Sequence, residues 1–298
     1  MINLNKFQDA NLDVRTNVYL KDYLSLKIGG LADYFIEVRS EEDIIKAIKL
    51  SEEMNLKYFV IGNGSNTLAL EYGVRGVVIY LGPKYSKITL LEDNIIKAEA
   101  GALLKDVCLF ARDNSLSGME ALYGIPASVG GAIYMNAGAY NGEMKDVTSH
   151  VEYINKDVTA ITLSNEDSEF SYRNSYYMHN EGVVSAAYFK LHDDNKDSIS
   201  DRMADFLHRR ESKQPLEYPS AGSTFKRPKN HYASALIDQC NLKGFEINGI
   251  KVSEKHAGFL INVNGGSSDD FISLINHIQA RVYVLTGFVL EPEIQILK

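Results

Sequence analysis

Two glycine-rich segments are the first residues in this chain whose types and spacing could do chemistry. In Gly62-Asn63-Gly64-Ser65-Asn66-Thr67 the glycines let the backbone approach a ligand closely, and successive N–H groups can form an anion nest for a diphosphate. The run resembles a dinucleotide fingerprint but ends on Thr. Leu68 to Gly76 carry no helix of useful length, so a phosphate would find no helix N-terminus, which argues against a nicotinamide-type Rossmann site. A tight turn between strands is the other reading of the same residues. The second segment runs Gly124-Ile125-Pro126-Ala127-Ser128-Val129-Gly130-Gly131-Ala132-Ile133-Tyr134-Met135-Asn136-Ala137-Gly138-Ala139-Tyr140. Its density of Gly and Ala would let backbone lie against a flat ligand. Close helix packing explains it less well, because packing rarely needs Pro, Gly-Gly and Asn-Ala-Gly-Ala in one run.

Other chemistries are poorly served. The histidines show no HExxH or paired spacing for a metal, no GxSxG elbow marks a hydrolase, and Cys108 and Cys240 form no CxxC pair.

The elements that must carry these segments can be read from the pattern. Ala32 to Val38 alternates as a strand, and Ser40 caps a helix whose first turn holds Glu41, Glu42 and Asp43 and whose apolar face uses Ile44, Ile45 and Ile48. Tyr58–Ile61 and Val77–Leu81 read as strands. Short strands follow at 88–91, 95–100, 151–154, 160–163 and 183–191, interrupted by a helix over 103–114 and by the second glycine-rich segment, too irregular to classify by period. A helix over about 198–210 leads to Pro215 and Pro219, a domain boundary. The remainder gives helix 233–241, strands 249–252 and 258–262, helix 268–286 and a last strand 293–297. The expected class is α+β.

The 298 residues allow two or three domains. A formal charge of −8 and a pI of about 5.4 argue against nucleic acid as an obligate partner. They also mean that cations for an anionic ligand must be placed locally. Two distant thiols fit a reducing compartment. The N-terminus lacks the apolar core of a signal peptide, and no apolar stretch spans a bilayer. A soluble, cytoplasmic protein with neither membrane nor obligate protein partner is expected.

The set Lys27-Ile28-Gly29-Gly30, Gly62 to Asn66, Gly124 to Tyr140, Tyr172-Arg173-Asn174-Ser175, Ala221-Gly222-Ser223-Thr224-Phe225-Lys226-Arg227-Pro228 and Lys255-His256-Ala257-Gly258-Phe259-Leu260-Ile261-Asn262, in this order, resembles the UDP-N-acetylenolpyruvoylglucosamine reductases (UDP-N-acetylmuramate dehydrogenases). The motifs cover nearly the whole chain, and the spacing is similar to the shorter, second subtype. The resemblance implies a two-subdomain FAD module of the PCMH or vanillyl-alcohol-oxidase type, residues 1–82 and 83–205. A C-terminal α+β substrate domain, 206–298, would follow, its last strand returning toward the flavin. It implies non-covalent FAD, NADPH as hydride donor, and UDP-N-acetylglucosamine enolpyruvate as substrate in peptidoglycan precursor synthesis, hence roles in cell wall, cell shape and division.

By the same resemblance Gly62, Asn63, Gly64, Ser65 and Asn66 would cradle the FAD diphosphate. Gly124, Ile125, Pro126, Ser128, Gly130, Gly131, Asn136, Ala137, Gly138 and Ala139 would line the rest of the flavin, and Arg210 would lie near its ring. Arg173 would meet the substrate carboxylate, since a guanidinium stays charged and binds in a fork. Ser223 would give C2 its proton; a serine hydroxyl is a poor acid and serves only a strongly basic carbon in a pre-organised site. Glu293, with Glu291 as a neighbouring decoy, would assist as acid or stabilise the enol form. Tyr172, Gln214, Lys226, Lys255 and His256 are further candidates for substrate contacts.

The chain departs from the family pattern at Ala127, where Gly is usual, at Ser234-Ala235, where Gly-Lys is usual, and at Gln295, where Arg is usual. Losing that Arg puts the orientation of Glu293 in question. A sugar or alcohol oxidase on the same flavin fold, or an inactive flavin-binding paralogue, are the alternatives.

Overall fold

Ser40 opens the first long helix, Glu41–Glu53, by accepting the Asp43 N–H at 3.2 Å, and Ile44, Ala47 and Ile48 make its buried stripe. These residues belong to a computed structural model that describes residues 2–297. Its contacts divide the chain into two units. One holds Met1–Thr16, Tyr34–Asn63 and Gly76–Arg210, the other Asn17–Asp33, Gly64–Arg75 and Glu211–Lys298.

In the first unit, strand Tyr58–Ile61 runs parallel to Val74–Tyr80, Tyr58 opposite Val77. These two close a four-stranded sheet whose other members are Leu31–Glu37 and Asp13–Tyr19. A second sheet is antiparallel throughout, in the order Ala160–Ser164, Thr148–Asn155, Gly182–Lys190, Ile95–Glu99, Ile88–Leu90. Helix Leu104–Asp113 buries Leu104, Val107, Cys108 and Ala111 in the same core. Arg202 of helix Lys196–Lys213 is tied to Glu120 at 2.6 Å and to Asp194 at 2.5 Å.

In the second unit an antiparallel sheet, Ser220–Ser223, Phe259–Asn262, Ile250–Val252, Glu246–Ile247, packs in one core with helices Ala233–Gln239 and Ser268–Thr286. Ser267 and Asp270 form a reciprocal cap at the start of the longer helix, and Gly287, at φ +76°, ends it in the left-handed region. Strand Gln295–Leu297 runs parallel to Thr67–Ala69.

The α+β class and the long elements are as the pattern reads. Several other features are not, among them the short strands Thr67–Ala69, Ser220–Ser223 and Glu246–Ile247. Helix Ile2–Asp9 and strand Asp13–Tyr19 carry no periodic apolar signal, the strand being half-exposed along its length. The irregular segment contains a six-residue helix, Val129–Tyr134, capped by Ser128. Among the described residues no helix is long and apolar enough to cross a membrane.

Candidate active site

The two glycine-rich segments are fastened to one another in the first unit. The Asn63 side chain donates to the Pro126 carbonyl at 2.7 Å, and its backbone N–H donates to Ser128 Oγ at 3.4 Å. A Cβ at Gly62 would stand 2.0 Å from that hydroxyl, so only glycine permits the approach. Ser128 is buried and also caps the short helix, accepting the Gly131 N–H at 3.5 Å. The two glycines of that helix do different work. Gly130 is buried, and a Cβ there would meet Ala100 Cβ at 2.9 Å; Gly131 is exposed, with only Ser128 Oγ within 4 Å of such a Cβ.

Beside Asn63 opens a cleft of about 170 Å³, lined among others by Leu81, Gly82, Ser86, Gly101, Leu103 and Asp106. None of these was singled out from sequence. The signal that could have found them is a glycine directly after a strand, at Gly82 and Gly101. At Gly101 a Cβ would come 2.4 Å from the Gly82 carbonyl oxygen.

Arg210 packs its Cδ against Gly124, 2.9 Å from where a Cβ would stand, and it is half-buried. Among the described residues it has no hydrogen bond or ion pair, and burial lowers its pKa from the ordinary value, opposed by the nearby Tyr140. A desolvated guanidinium without a carboxylate, an open glycine face and a cleft at a glycine loop fit a bound FAD. Gly62, Asn63, Gly124, Gly131 and Arg210 are the residues that would hold it. Ile125, Pro126, Ala137, Gly138 and Ala139 are partly or fully exposed along the same run. Asn136 belongs to the same run. It is wholly buried, and its side chain is committed to Glu143 at 3.1 Å, the Ser171 carbonyl at 2.9 Å and the Lys145 N–H at 3.0 Å. It shapes the loop from inside, because no part of it reaches a surface. Ala127 is likewise buried.

The same loop holds Arg173. Its guanidinium donates to the carbonyls of Gly138 at 2.9 Å and Asn136 at 3.4 Å, and it lies 5.2 Å from the Tyr172 ring centroid. Ser171 and Asn174 pair across the turn, and Arg173 sits at φ +51°, a conformation few non-glycine residues adopt. Tyr172 is 44% exposed.

Ser223 and Glu293 are brought together in the second unit. Ser223 ends its strand opposite Phe259, exposed, and its hydroxyl has no partner among the described residues. Thr224, next in the chain, accepts the Glu293 N–H at 2.8 Å, and Phe225 bridges to Pro292. The Glu293 carbonyl accepts from Asn66 Nδ2 at 3.2 Å and from Gln295 Nε2 at 3.3 Å. Gln295 therefore supplies a neutral donor to the backbone of the glutamate.

Of the other candidates, Lys226 pairs with Glu291 at 2.6 Å. Lys255 donates to the Glu211 carbonyl at 2.7 Å. Gln214 has its Oε1 buried with no hydrogen-bond partner among the described residues. His256 is half-buried with Nδ1 accepting from Gly258 at 3.1 Å, and desolvation lowers its pKa. Gly64 and Ser65 lie in the second unit; Gly64, at φ +61°, accepts the Ser25 N–H at 3.1 Å.

Comparison with known proteins adds an independent line. The family model for the C-terminal domain of UDP-N-acetylenolpyruvoylglucosamine reductase matches residues 214–297, and a model of an FAD binding domain matches 32–164. A UDP-N-acetylenolpyruvoylglucosamine reductase of Clostridium perfringens (strain 13 / Type A) is 43% identical over 285 residues, 96% of this chain and 93% of its own. That of Staphylococcus haemolyticus is 41% identical over 284 residues, 95% and 92%. The crystal structure of the reductase from Thermus caldophilus superimposes with a TM-score of 0.83 at 34% identity, covering 96% of this chain and 99% of that one. BBE-like 1 of Physcomitrella patens, at 13% identity and a TM-score of 0.50 over 64% of this chain, shares the fold alone.

Proposed function

The chain belongs to the UDP-N-acetylenolpyruvoylglucosamine reductase family and is an FAD-dependent oxidoreductase; from that premise we propose that it uses NADPH to reduce UDP-N-acetylglucosamine enolpyruvate to UDP-N-acetylmuramate, in the cytoplasm, for peptidoglycan precursor synthesis. Residues 1–82 and 83–205 are the two halves of its flavin module, and 206–298 its substrate part. FAD, held by Gly62, Asn63, Gly124, Gly131 and Arg210, would supply the hydride chemistry between NADPH and C3 of the enolpyruvyl group.

The protein's own residues do the rest. Arg173 binds the substrate carboxylate, into which charge spreads as C3 is reduced. Ser223 delivers the proton to C2, and Glu293 assists it or stabilises the enol form. Tyr172, Gln214, Lys226 and Lys255 are the candidates for contacts to the nucleotide sugar. The observation that carries this reading is the 2.8 Å bond from the Glu293 N–H to the Thr224 carbonyl. It ties the backbone of the glutamate to the residue that follows an exposed serine, whose hydroxyl has no partner among the described residues.

The test is NADPH oxidation by the purified, flavin-loaded protein. It should be slow alone and accelerate when UDP-N-acetylglucosamine enolpyruvate is added. Indifference to that sugar, with oxygen-dependent turnover of an alcohol or sugar instead, would place the chain among oxidases of the same fold. Flavin binding without either turnover would make it an inactive paralogue.

A further inference from the structure

His256 opens a four-residue turn in which its carbonyl accepts the Phe259 N–H at 3.0 Å. Its ring closes the same turn from the side, Nδ1 accepting the Gly258 N–H at 3.1 Å. A nitrogen that accepts carries a lone pair, so in the neutral ring the proton is on Nε2. Ser253 Oγ braces the turn by accepting the N–H groups of Lys255 at 3.2 Å and His256 at 3.3 Å. The ring stands edge-on to Phe259 with centroids 4.9 Å apart. It also covers Gly258, where a Cβ would meet His256 Cε1 at 3.0 Å.

Gly258 connects this turn to the reacting strand. Its carbonyl accepts the Thr224 N–H at 2.9 Å, its neighbour Phe259 is in register with Ser223, and the Thr224 carbonyl in turn accepts the Glu293 N–H at 2.8 Å. A glycine has more backbone freedom than any other residue. What holds this one is the turn and the bond to Nδ1. We propose that His256 is a positioning residue: through Nδ1 it fixes Gly258, and through Gly258 it fixes the peptide that carries Ser223 and anchors Glu293. This rests on Ser223 being the proton donor of the proposed reaction.

The test separates the two ring nitrogens. In H256N the amide oxygen replaces Nδ1, whereas in H256Q the amide N–H replaces Nε2–H. In the flavin-loaded enzyme, H256N should reoxidise reduced flavin with the enolpyruvyl sugar at close to the normal rate. H256Q and H256L should lose on the order of 10²-fold in that step, the cost of a misplaced reacting group. KM should be little changed and flavin reduction by NADPH normal in all three. Rescue by H256Q and loss in H256N, or a loss confined to KM, would overturn the proposal by assigning His256 to direct substrate contact through Nε2. Normal rates in all three would also overturn it. S223A run in parallel keeps the two readings apart: if S223A itself is not slowed, the proton-donor reading has failed; if it is slowed while H256Q and H256L are normal, only the present inference has. Should H256L not fold, the contrast between H256N and H256Q decides.

Discussion

Asn66 holds Glu293: its side-chain amide donates to the glutamate's carbonyl at 3.2 Å across 227 residues of sequence, and its own carbonyl accepts the Gln295 N–H at 3.0 Å. The end of the first glycine-rich loop is thereby a clamp on the last strand. Asn66→Ala removes the donor and should lower Tm by roughly 2 °C, for a net hydrogen bond of about 1 kcal/mol. Turnover should fall by more than FAD content does, measured by stopped-flow reoxidation and by flavin absorbance. Loss of FAD in proportion to activity would mean that Asn66 serves the cofactor directly.

The adjacent glycines of the short helix should respond in opposite ways. Gly131→Leu would meet only the Ser128 hydroxyl, at ordinary contact distance, so the protein should fold with near-normal Tm and purify colourless. Gly130→Leu drives a side chain into Ala100 and should cost about 1–3 kcal/mol of stability. A fully yellow Gly131→Leu protein would show that the flavin lies elsewhere.

Arg210 is desolvated without an internal anion, so its charge is a cost to the flavin-free fold. Arg210→Met should leave the apoprotein as stable or more so, while raising the FAD dissociation constant by about tenfold or more, the worth of a hydrogen bond to a charged group. Differential scanning with and without added FAD reads both. An apoprotein destabilised by the change would assign Arg210 to the fold.

Acid sensitivity should centre in part on Glu120. Burial pushes its carboxyl up, but hydrogen bonds from Ser117 at 2.7 Å, from Arg202 at 2.6 Å and from the Gly118 N–H at 2.9 Å outweigh that, and its pKa is lowered from the ordinary 4.5. A group with a lowered folded-state pKa adds stability above its unfolded value, and that stability drains away as pH falls below about 4.5. Glu120→Gln should cost about 1–3 kcal/mol at pH 7. Its Tm should converge on that of the parent as pH is taken below 4.5. A constant gap in Tm across that range would contradict the ionic account.

How much could be read beforehand varied with the kind of signal. Helix Ser268–Thr286 lay in the sequence residue for residue, since the Ser267 cap, two acids in the first turn and Gly287 at its end are all local. Strand Tyr58–Ile61 was equally legible as a short apolar run between turns. Strand Asp13–Tyr19 was not, because a half-exposed strand does not need alternating apolar residues. The motifs named Arg173, Ser223 and Glu293, yet nothing near Arg173 foretold its positive φ, and nothing around Asn136 foretold that it is wholly buried.

From sequence alone came the chemistry on offer: glycine loops for a diphosphate, an arginine, a serine and a glutamate in recognisable surroundings, and the absence of metal or hydrolase spacing. Those are properties of residue type and of neighbours a few positions away. Only the tertiary structure decided that Asn63 is tied to Pro126, that Thr224 receives Glu293, and that Gly131 is exposed while Gly130 is buried. Such pairings depend on where two distant backbones run. Side-chain periodicity carries information over one helix or strand, and no further.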